Sequence, residues 1–93
     1  MKQKGFESFI ALCSDCSDKN LLPSLFDLFF TEEEREDLAT RYLIVKALLQ
    51  QEQSQREIAK TVNVSIAKVT RGSNILKRTD KKLLKYLNVK LLK

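Results

Sequence analysis

Apolar side chains recur at intervals of about three or four residues along most of the chain, which is the spacing of one face of an α-helix. The first such stripe consists of Phe6, Phe9, Ile10, Cys13 and Cys16. Comparable stripes follow it as far as the last ten residues, and short polar segments separate them. The pattern predicts an all-α fold of about six helices, in one domain that covers residues 1–93.

A second, short helix is predicted over Leu21–Phe29, which is apolar around most of its circumference. Pro23 lies in its first turn, where proline is tolerated because the first backbone N–H groups have no partner within the helix. A helix this apolar is poorly suited to the surface of a small monomer. A chain of 93 residues also buries only about 60–65% of its unfolded surface. We therefore expect an obligate homodimer.

Capping signals predict two more helices. Thr31 and Glu34 match a capping box, which opens a helix that we expect to end near Gln50–Gln53. The apolar positions of this helix are Leu38, Tyr42, Val45, Leu48 and Leu49. A last helix, capped by Thr79 or Asp80, carries Leu83, Leu84, Leu87 and Leu91.

Residues 54–72 carry the signals of two short helices joined by a tight turn. Ser54 and Glu57 form a capping box at the start of the first of these helices. Its inner face is small and apolar, which lets a second helix cross it closely, and is made of Ile58, Ala59 and Val62.

The turn itself begins at Asn63, a residue type that tolerates the left-handed backbone conformation that ends a helix. Val64 anchors the turn to the core, Ser65 caps the second helix, and Val69 faces back inward. Together these features predict a helix-turn-helix. A merely structural helix hairpin has a similar pattern and stays open as an alternative.

In a helix-turn-helix, the first residues of the second helix meet base edges in the major groove of DNA. Ile66 and Ala67 are apolar at outward positions, which suits thymine methyl groups, and Lys68 suits a guanine edge or a phosphate. Contacts with DNA are predicted along this helix from Ser65, Ile66, Ala67, Lys68, Thr70, Ser73 and Asn74. Flanking phosphate contacts are predicted from Gln55, Arg56, Lys60, Lys77 and Arg78.

The net charge of +5 is unevenly divided along the chain. Residues 1–52 have 6 basic and 10 acidic side chains, a balance of −4, whereas residues 53–93 have 11 and 2, a balance of +9. Such segregation favours a polyanionic partner, either nucleic acid or an anionic membrane surface. A solvated lysine-rich face explains the charge equally well, so charge alone does not identify a partner. The predicted helix-turn-helix is the feature that favours DNA. No basic helix has the aromatic-rich opposite face that is typical of membrane binding.

Cys13 and Cys16 form a lone C-x-x-C pair. A zinc site would need two more ligands, and the chain has no histidine and no further cysteine. A redox pair stays open, but we expect both cysteines to lie on the apolar stripe of the first helix, where reduced cysteine packs as a small hydrophobic residue.

The first residues lack the cleavage site of a signal peptide, and no segment has the roughly 18 apolar residues that span a bilayer. We therefore expect a cytoplasmic protein without a membrane partner. An enzyme is the weakest hypothesis, because the chain has neither histidine nor a glycine-rich phosphate loop.

Gly72 occupies a costly position if it lies inside a helix, where glycine is about 1 kcal/mol less favourable than alanine. One explanation is a helix end with Ser73–Asn74 as a loop. The helical period nevertheless continues to Lys77, and a glycine within a helix allows a bulky group to approach the backbone. Arg71 adds a planar guanidinium that stacks on flat rings and pairs with carboxylates. These two residues suggest a small planar ligand, anionic or zwitterionic, behind the second helix of the helix-turn-helix.

Two stretches, TEEEREDLATRYLIVKALL and QSQREIAKTVNVSIAKVTRGSNILK, resemble the core of the bacterial tryptophan repressors. The resemblance covers about residues 21–78, and its most specific elements are the E-R-E-D-L-A-T-R run, the S-Q-R-E box and T-R-G-S-N. It implies an intertwined, all-helical homodimer that binds L-tryptophan as corepressor and operator DNA as partner, with no further cofactor.

The resemblance also implies a role for individual residues in the corepressor site. Arg41 and Arg71 match the pair of arginines that sandwich the indole, and Gly72 matches the glycine that lies against it. Thr31 matches the threonine that meets the ligand carboxylate. The backbone carbonyls that receive the ammonium group match Leu28 and Phe30.

Two positions depart from the family pattern. Ile75 stands where well-known members have a serine hydroxyl for the ammonium group, and Lys68 stands where they have a threonine in the recognition helix. The leading hypothesis from the sequence is a tryptophan-dependent repressor of genes for tryptophan biosynthesis or uptake. The second is a helix-turn-helix module that binds DNA without a ligand, which leaves Arg41, Arg71 and Gly72 unexplained.

Overall fold

The computed structural model describes residues 2–92, and these residues form six α-helices without a strand. The helices are α1 (Gln3–Asp15), α2 (Leu21–Phe29), α3 (Glu32–Gln50), α4 (Gln55–Val62), α5 (Ile66–Lys77) and α6 (Lys81–Leu91). The predicted all-α class and the number of helices are confirmed. None of the helices within residues 2–92 combines the length and the apolar character needed to cross a membrane.

The chain divides into two compact units, Met1–Arg35 and Glu36–Lys93, with the boundary inside α3. In the first unit, α1 and α2 are held together by a cluster of aromatic rings. The ring of Phe9 lies 5.4 Å from that of Phe29 and 5.6 Å from that of Phe30, both edge to face, which is a favourable arrangement of the ring quadrupoles. An ion pair between Arg35 and Asp27 joins the start of α3 to α2.

The first unit differs from the expectation at one cysteine. Cys13 lies within α1 as predicted, but α1 ends at Asp15, and Cys16 is its C-cap with an extended backbone. The helix ends there because Cys16 has ψ of 98°, although its N–H still donates to the carbonyl of Cys13. Both thiols are free and half-buried. No group of three His, Cys, Asp or Glu side chains that would hold a metal ion occurs within residues 2–92.

The start of α3 follows the predicted capping box. The N–H of Thr31 donates to the Glu34 carboxylate at 2.8 Å, and the N–H of Glu34 donates to the Thr31 hydroxyl at 3.0 Å. Three acidic residues in the first turn further favour this helix start, because they face the positive end of the helix dipole. The helix ends at Gln50, as expected from the loss of periodicity.

The second unit has a small core in which α3, α4 and α5 meet. Its fully buried members are Ile58 and Val69, with Ile44 and Ala59 almost as deeply buried. Val62 and Val64 pack against this cluster, which confirms the inward positions predicted for the helix-turn-helix. On α3 the buried residue is Ile44, which lies outside the predicted stripe, and Leu38 and Tyr42 of that stripe are about half exposed in one chain.

The turn between α4 and α5 has the predicted geometry. Asn63 is the C-cap of α4 in the left-handed conformation, with φ 64° and ψ 54°. The N–H of Val64 returns to the carbonyl of Ala59 at 2.9 Å, which closes the turn. Ser65 then caps α5, because its hydroxyl accepts from the N–H of Lys68 at 3.1 Å. The tight turn brings α5 across α4.

The N-cap of α6 is Asp80, one of the two residues expected there, but its side chain makes no capping hydrogen bond. The other candidate, Thr79, instead donates its hydroxyl proton to the carbonyl of Ile75 at 2.8 Å, so it helps to end α5. A cap that leaves the first N–H groups of α6 without a side-chain acceptor is weaker than those of α3 and α4.

At the start of α4, Ser54 and Glu57 form a complete capping box. The N–H of Ser54 donates to the Glu57 carboxylate at 2.8 Å, and the Ser54 hydroxyl accepts from the Glu57 N–H at 3.1 Å. The bonds that the Glu57 carboxylate receives from Ser54, the backbone N–H first, favour its charged form and hold the pKa of Glu57 below its ordinary value of 4.5. Only eight residues long, α4 depends on this cap and on packing rather than on its own propensity.

We predict that Ser54→Ala lowers the free energy of unfolding by about 1 kcal/mol, since it removes an N-cap acceptor. Urea unfolding followed by circular dichroism measures the change. Ser8→Ala is the matched control, because Ser8 is exposed inside α1 and caps nothing; it should stay within about 0.5 kcal/mol of the parent. Equal effects of the two substitutions would contradict this account of α4.

Candidate ligand and nucleic-acid sites

A cavity of about 310 Å³ lies in the second unit, between one face each of α3, α5 and α6. This volume is at the small end of the range for ligand-binding pockets, which suits one small molecule. The cavity is lined by Asp37, Thr40, Arg41, Ile44, Val45, Lys68, Arg71, Gly72, Ile75, Leu76, Thr79, Leu83 and Leu87.

Helical spacing explains why the residues from α3 and α5 share this cavity. Asp37, Arg41 and Ile44 lie on one face of α3, because positions three and four apart stack along a helix. On α5, Arg71 and Ile75 are spaced in the same way. The cavity therefore brings together four of the seven residues predicted for the ligand: Arg41, Arg71, Gly72 and Ile75.

The lining has an apolar part and a charged part. The apolar part comes from aliphatic side chains of all three helices: Ile44, Val45, Ile75, Leu76, Leu83 and Leu87. The charged part has three cations, Arg41, Lys68 and Arg71, and one carboxylate, Asp37. Such a site accommodates a molecule that is largely apolar and also carries charge, with a preference for negative charge.

Gly72 has a packing role that the sequence pattern did not reveal. As predicted from the unbroken period, it lies inside α5, so the alternative of a helix end is wrong. A Cβ at Gly72 would stand 3.2 Å from Cγ2 of Ile44 and 3.6 Å from Cδ1 of Leu48. Because the first distance is tighter than ordinary van der Waals contact, the absence of a side chain lets α5 approach α3 closely at the edge of the cavity.

The remaining predicted ligand residues lie around the end of α2. Leu28 is 78% exposed, Phe30 is the half-buried C-cap of α2, and Thr31 is the exposed residue that caps α3. The Thr31 hydroxyl accepts from the N–H of Glu34, and a hydroxyl that accepts keeps its own proton free to donate. Thr31 can therefore donate to a carboxylate without loss of the cap.

The residues predicted to contact DNA lie at the surface of α4 and α5. Most of them are exposed: Arg56, Lys60, Ser65, Ile66, Ala67, Lys68, Thr70, Asn74, Lys77 and Arg78. Gln55 and Ser73 are half-buried. Ile66 is 44% exposed, so an apolar side chain does project from the first turn of α5 as expected. The exposed surface of α4 and α5 carries no carboxylate except Glu57, which is engaged in the capping box.

Two of these residues bond to each other across the two helices. The hydroxyl of Thr70 on α5 donates to the side-chain carbonyl of Gln55 on α4 at 2.7 Å. This bond fixes the amide of Gln55 with its NH₂ group free, and an NH₂ group donates to phosphate oxygens. Thr70 therefore holds Gln55, a predicted phosphate contact, in position.

Among the polar residues of the lining, sequence reasoning missed Asp37, Thr40 and Thr79. The signal for Asp37 was present, since it precedes Arg41 by one helical turn. Thr79 lies between α5 and α6, where no helical period predicts the position of its side chain. Lys68, predicted as a DNA contact, also borders the cavity.

Comparison with known proteins places the chain in one family. Residues 4–91 match the Trp repressor protein family. A Trp operon repressor homolog of Chlamydia trachomatis serovar L2 is 45% identical over 86 residues, which cover 92% of this chain and 92% of its own. The homolog of Chlamydia caviae is 47% identical over 85 residues, covering 91% and 84% of the two chains. That of Aliivibrio salmonicida is 38% identical over 76 residues, covering 82% and 70%. The chain therefore belongs to the Trp repressor protein family, whose members are DNA-binding transcriptional repressors and not enzymes.

Proposed function

We propose that this repressor depends on L-tryptophan, which binds as corepressor in the cavity between α3, α5 and α6 and adjusts α4 and α5 for a palindromic operator. The observation that carries the proposal is the position of Arg41, Arg71 and Gly72 around one cavity of about 310 Å³. We expect the regulated genes to serve tryptophan biosynthesis or uptake, and the protein to act in the cytoplasm.

The chemistry of the cavity supports an aromatic amino acid as ligand. Guanidinium groups stack on aromatic faces, so Arg41 and Arg71 suit the two faces of an indole, and either one also pairs with a carboxylate. The apolar part of the lining around Ile44 removes the ring from water. Three cations with a single acid, Asp37, match a zwitterion whose carboxylate is held more strongly than its ammonium group.

The ammonium group has fewer partners here than in well-known members of the family. Ile75 borders the cavity with an apolar side chain and offers no hydroxyl. In the proposed complex, the backbone carbonyls of Leu28 and Phe30 receive this group, and Thr31 donates its hydroxyl proton to the ligand carboxylate. This assignment rests on the family resemblance.

The cavity also explains how a ligand would act on DNA binding. Its walls include both α3 and the recognition helix α5, so a bound ring would contact both helices at once. A ligand shifts an equilibrium toward the conformation that it binds better. L-tryptophan would therefore favour the orientation of α5 that presents Ile66 and Ala67 to base edges, with Lys68 at the boundary between ligand and groove.

Homodimerisation is part of the proposal because one chain has little core of its own. Only four hydrophobic residues within residues 2–92 are buried, and none of them lies in α1, α2 or α6. Many large apolar side chains of these and other helices are exposed in the single chain, including Leu21, Leu28, Phe29, Leu38, Leu43 and Tyr86. A monomer rarely leaves so much apolar surface in water, and a second copy of the chain would cover it.

A repressor that binds DNA without a ligand is the second candidate. The contact that a Cβ at Gly72 would make with Ile44 favours it, because helix packing explains the glycine without an indole. This candidate leaves the two arginines at the cavity without a role. Ligand binding distinguishes the two functions.

We predict that the parent protein sediments at twice the chain mass at micromolar concentration and that Leu43→Glu dissociates it. Leu43 is half exposed in one chain, so the change costs little unless a second chain covers the residue. Gln50→Glu is the control, because it adds the same charge at an exposed position of α3 and should leave the dimer intact. A stable, folded parent monomer would contradict the proposal.

We predict that bound L-tryptophan shows a blue-shifted emission, because its ring leaves water for the cavity. The chain has no tryptophan, so indole emission reports the ligand directly. Arg71→Ala should weaken binding by roughly 10- to 100-fold, because hydrogen bonds to charged groups are worth about 1.5–3 kcal/mol.

Arg78→Ala is the matched control for this titration. Arg78 is exposed at the end of α5 and does not line the cavity, so its replacement should leave the blue shift and the affinity unchanged. If Arg71→Ala bound L-tryptophan as the parent does, the ligand would lie elsewhere and the proposed site would be wrong.

A further inference from the structure

The chain remains strongly basic beyond the helix-turn-helix. From the end of α5 through α6 there are six cations, Lys77, Arg78, Lys81, Lys82, Lys85 and Lys90, against one acid, Asp80. The balance of this stretch is therefore +5 (6 − 1) over residues 77–90. Lys77 and Arg78 are predicted phosphate contacts, but the lysines of α6 have no role in the function proposed above.

Three of these lysines share one face of α6. Lys81, Lys82 and Lys85 fall within an arc of about 100° around the helix axis, since successive residues are about 100° apart. All three are exposed. The opposite side of α6 carries Leu84, Leu87 and Leu91, which are half-buried, so the fold uses the apolar side and leaves the lysine face in water. We call Lys81, Lys82 and Lys85 the α6 lysine face.

No ion pair within residues 2–92 neutralises the charge of this face. Arg35 and Asp27 form the only ion pair among residues 2–92. Lys90, on another side of α6, differs because its ammonium group lies 5.7 Å from the centre of the Tyr86 ring. Lys81 and Lys85 are like charges one turn apart, a spacing that destabilises a helix on its own. A polyanion on this face would remove that repulsion.

We propose that the α6 lysine face binds the sugar-phosphate backbone of duplex DNA that flanks the sequence read by α5. The inference rests on the proposed function, because it requires α5 to dock on DNA. Lys81 follows Lys77 by four residues, which span at most about 14 Å of chain. The face thus begins within four residues of a predicted phosphate contact.

Duplex DNA fits this face better than an anionic membrane does. A helix that binds a membrane surface inserts its apolar side among the lipid chains. On α6 that side is half-buried, and Leu87 from it lines the cavity of the second unit together with the neighbouring Leu83. A row of phosphates requires only the charged side and leaves the packing of α6 intact.

The test compares Lys81→Gln/Lys85→Gln with Lys19→Gln/Lys90→Gln. Both double variants lower the net charge from +5 to +3, and all four lysines are exposed. The probe is a palindromic duplex selected by the parent from random sequence. It is made at about 20 base pairs, enough for two half-sites one helical turn apart, and at about 40 base pairs with flanking DNA. Anisotropy with saturating L-tryptophan gives the affinity at several salt concentrations.

The slope of log affinity against log salt falls by about 0.9 for each phosphate that the protein no longer neutralises. We expect Lys81→Gln/Lys85→Gln to lower it by roughly 2 for each bound protomer on the long duplex, and by less on the short one. The control pair should keep the parent slope. Equal slopes for the two variants on the long duplex would overturn the inference. So would an unchanged DNA slope together with weaker binding to phosphatidylserine vesicles. A parent that selects no duplex from random sequence in the presence of L-tryptophan would overturn the proposed function itself.

Discussion

Helix α5 lies against α3 so closely at Gly72 that a Cβ there would meet Ile44 at 3.2 Å. This approach closes the core of the second unit, where Ile44 and Val69 are buried. It also forms one side of the cavity, because Ile44 and Gly72 both line it. Core packing and the candidate ligand site therefore depend on one helix contact. A change in the position of α5 relative to α3 would alter both together.

The same contact gives the proposed regulation a physical basis. The recognition helix is held by packing at Val69, by the capped turn at Asn63, and by the bond from Thr70 to Gln55. Its other side borders the cavity. Under the proposed function, a ligand that fills the cavity would add contacts to both α3 and α5 and would favour the position of α5 that it binds better. In this proposal the segregation of charge assists, since the basic C-terminal half attracts DNA whichever sequence is bound.

Much of the fold was predictable because local signals agreed with the packing. The capping boxes at Thr31 and Ser54 and the left-handed Asn63 depend on neighbouring residues only, and the structure confirms all three. The buried residue of α3 was not predicted, since periodicity alone does not tell which of its apolar residues faces its own chain. The end of α1 before Cys16 was missed for a similar reason, because an apolar stripe continues past the last helical turn. From the residues alone, the candidate site was predictable only at Arg71 and Gly72, and Arg41 and Ile75 were expected from the family resemblance. The place of the other lining residues depends on how α3 and α6 meet α5 in space.

The central claim is that L-tryptophan controls DNA binding through the cavity. The most direct test measures the affinity of the parent protein for a duplex selected from random sequence, with and without L-tryptophan, at fixed salt. We expect tighter binding with the ligand by about 5- to 150-fold, the usual range of coupling between two sites. The same affinity in both conditions would contradict the account and would favour a repressor that binds DNA without a ligand.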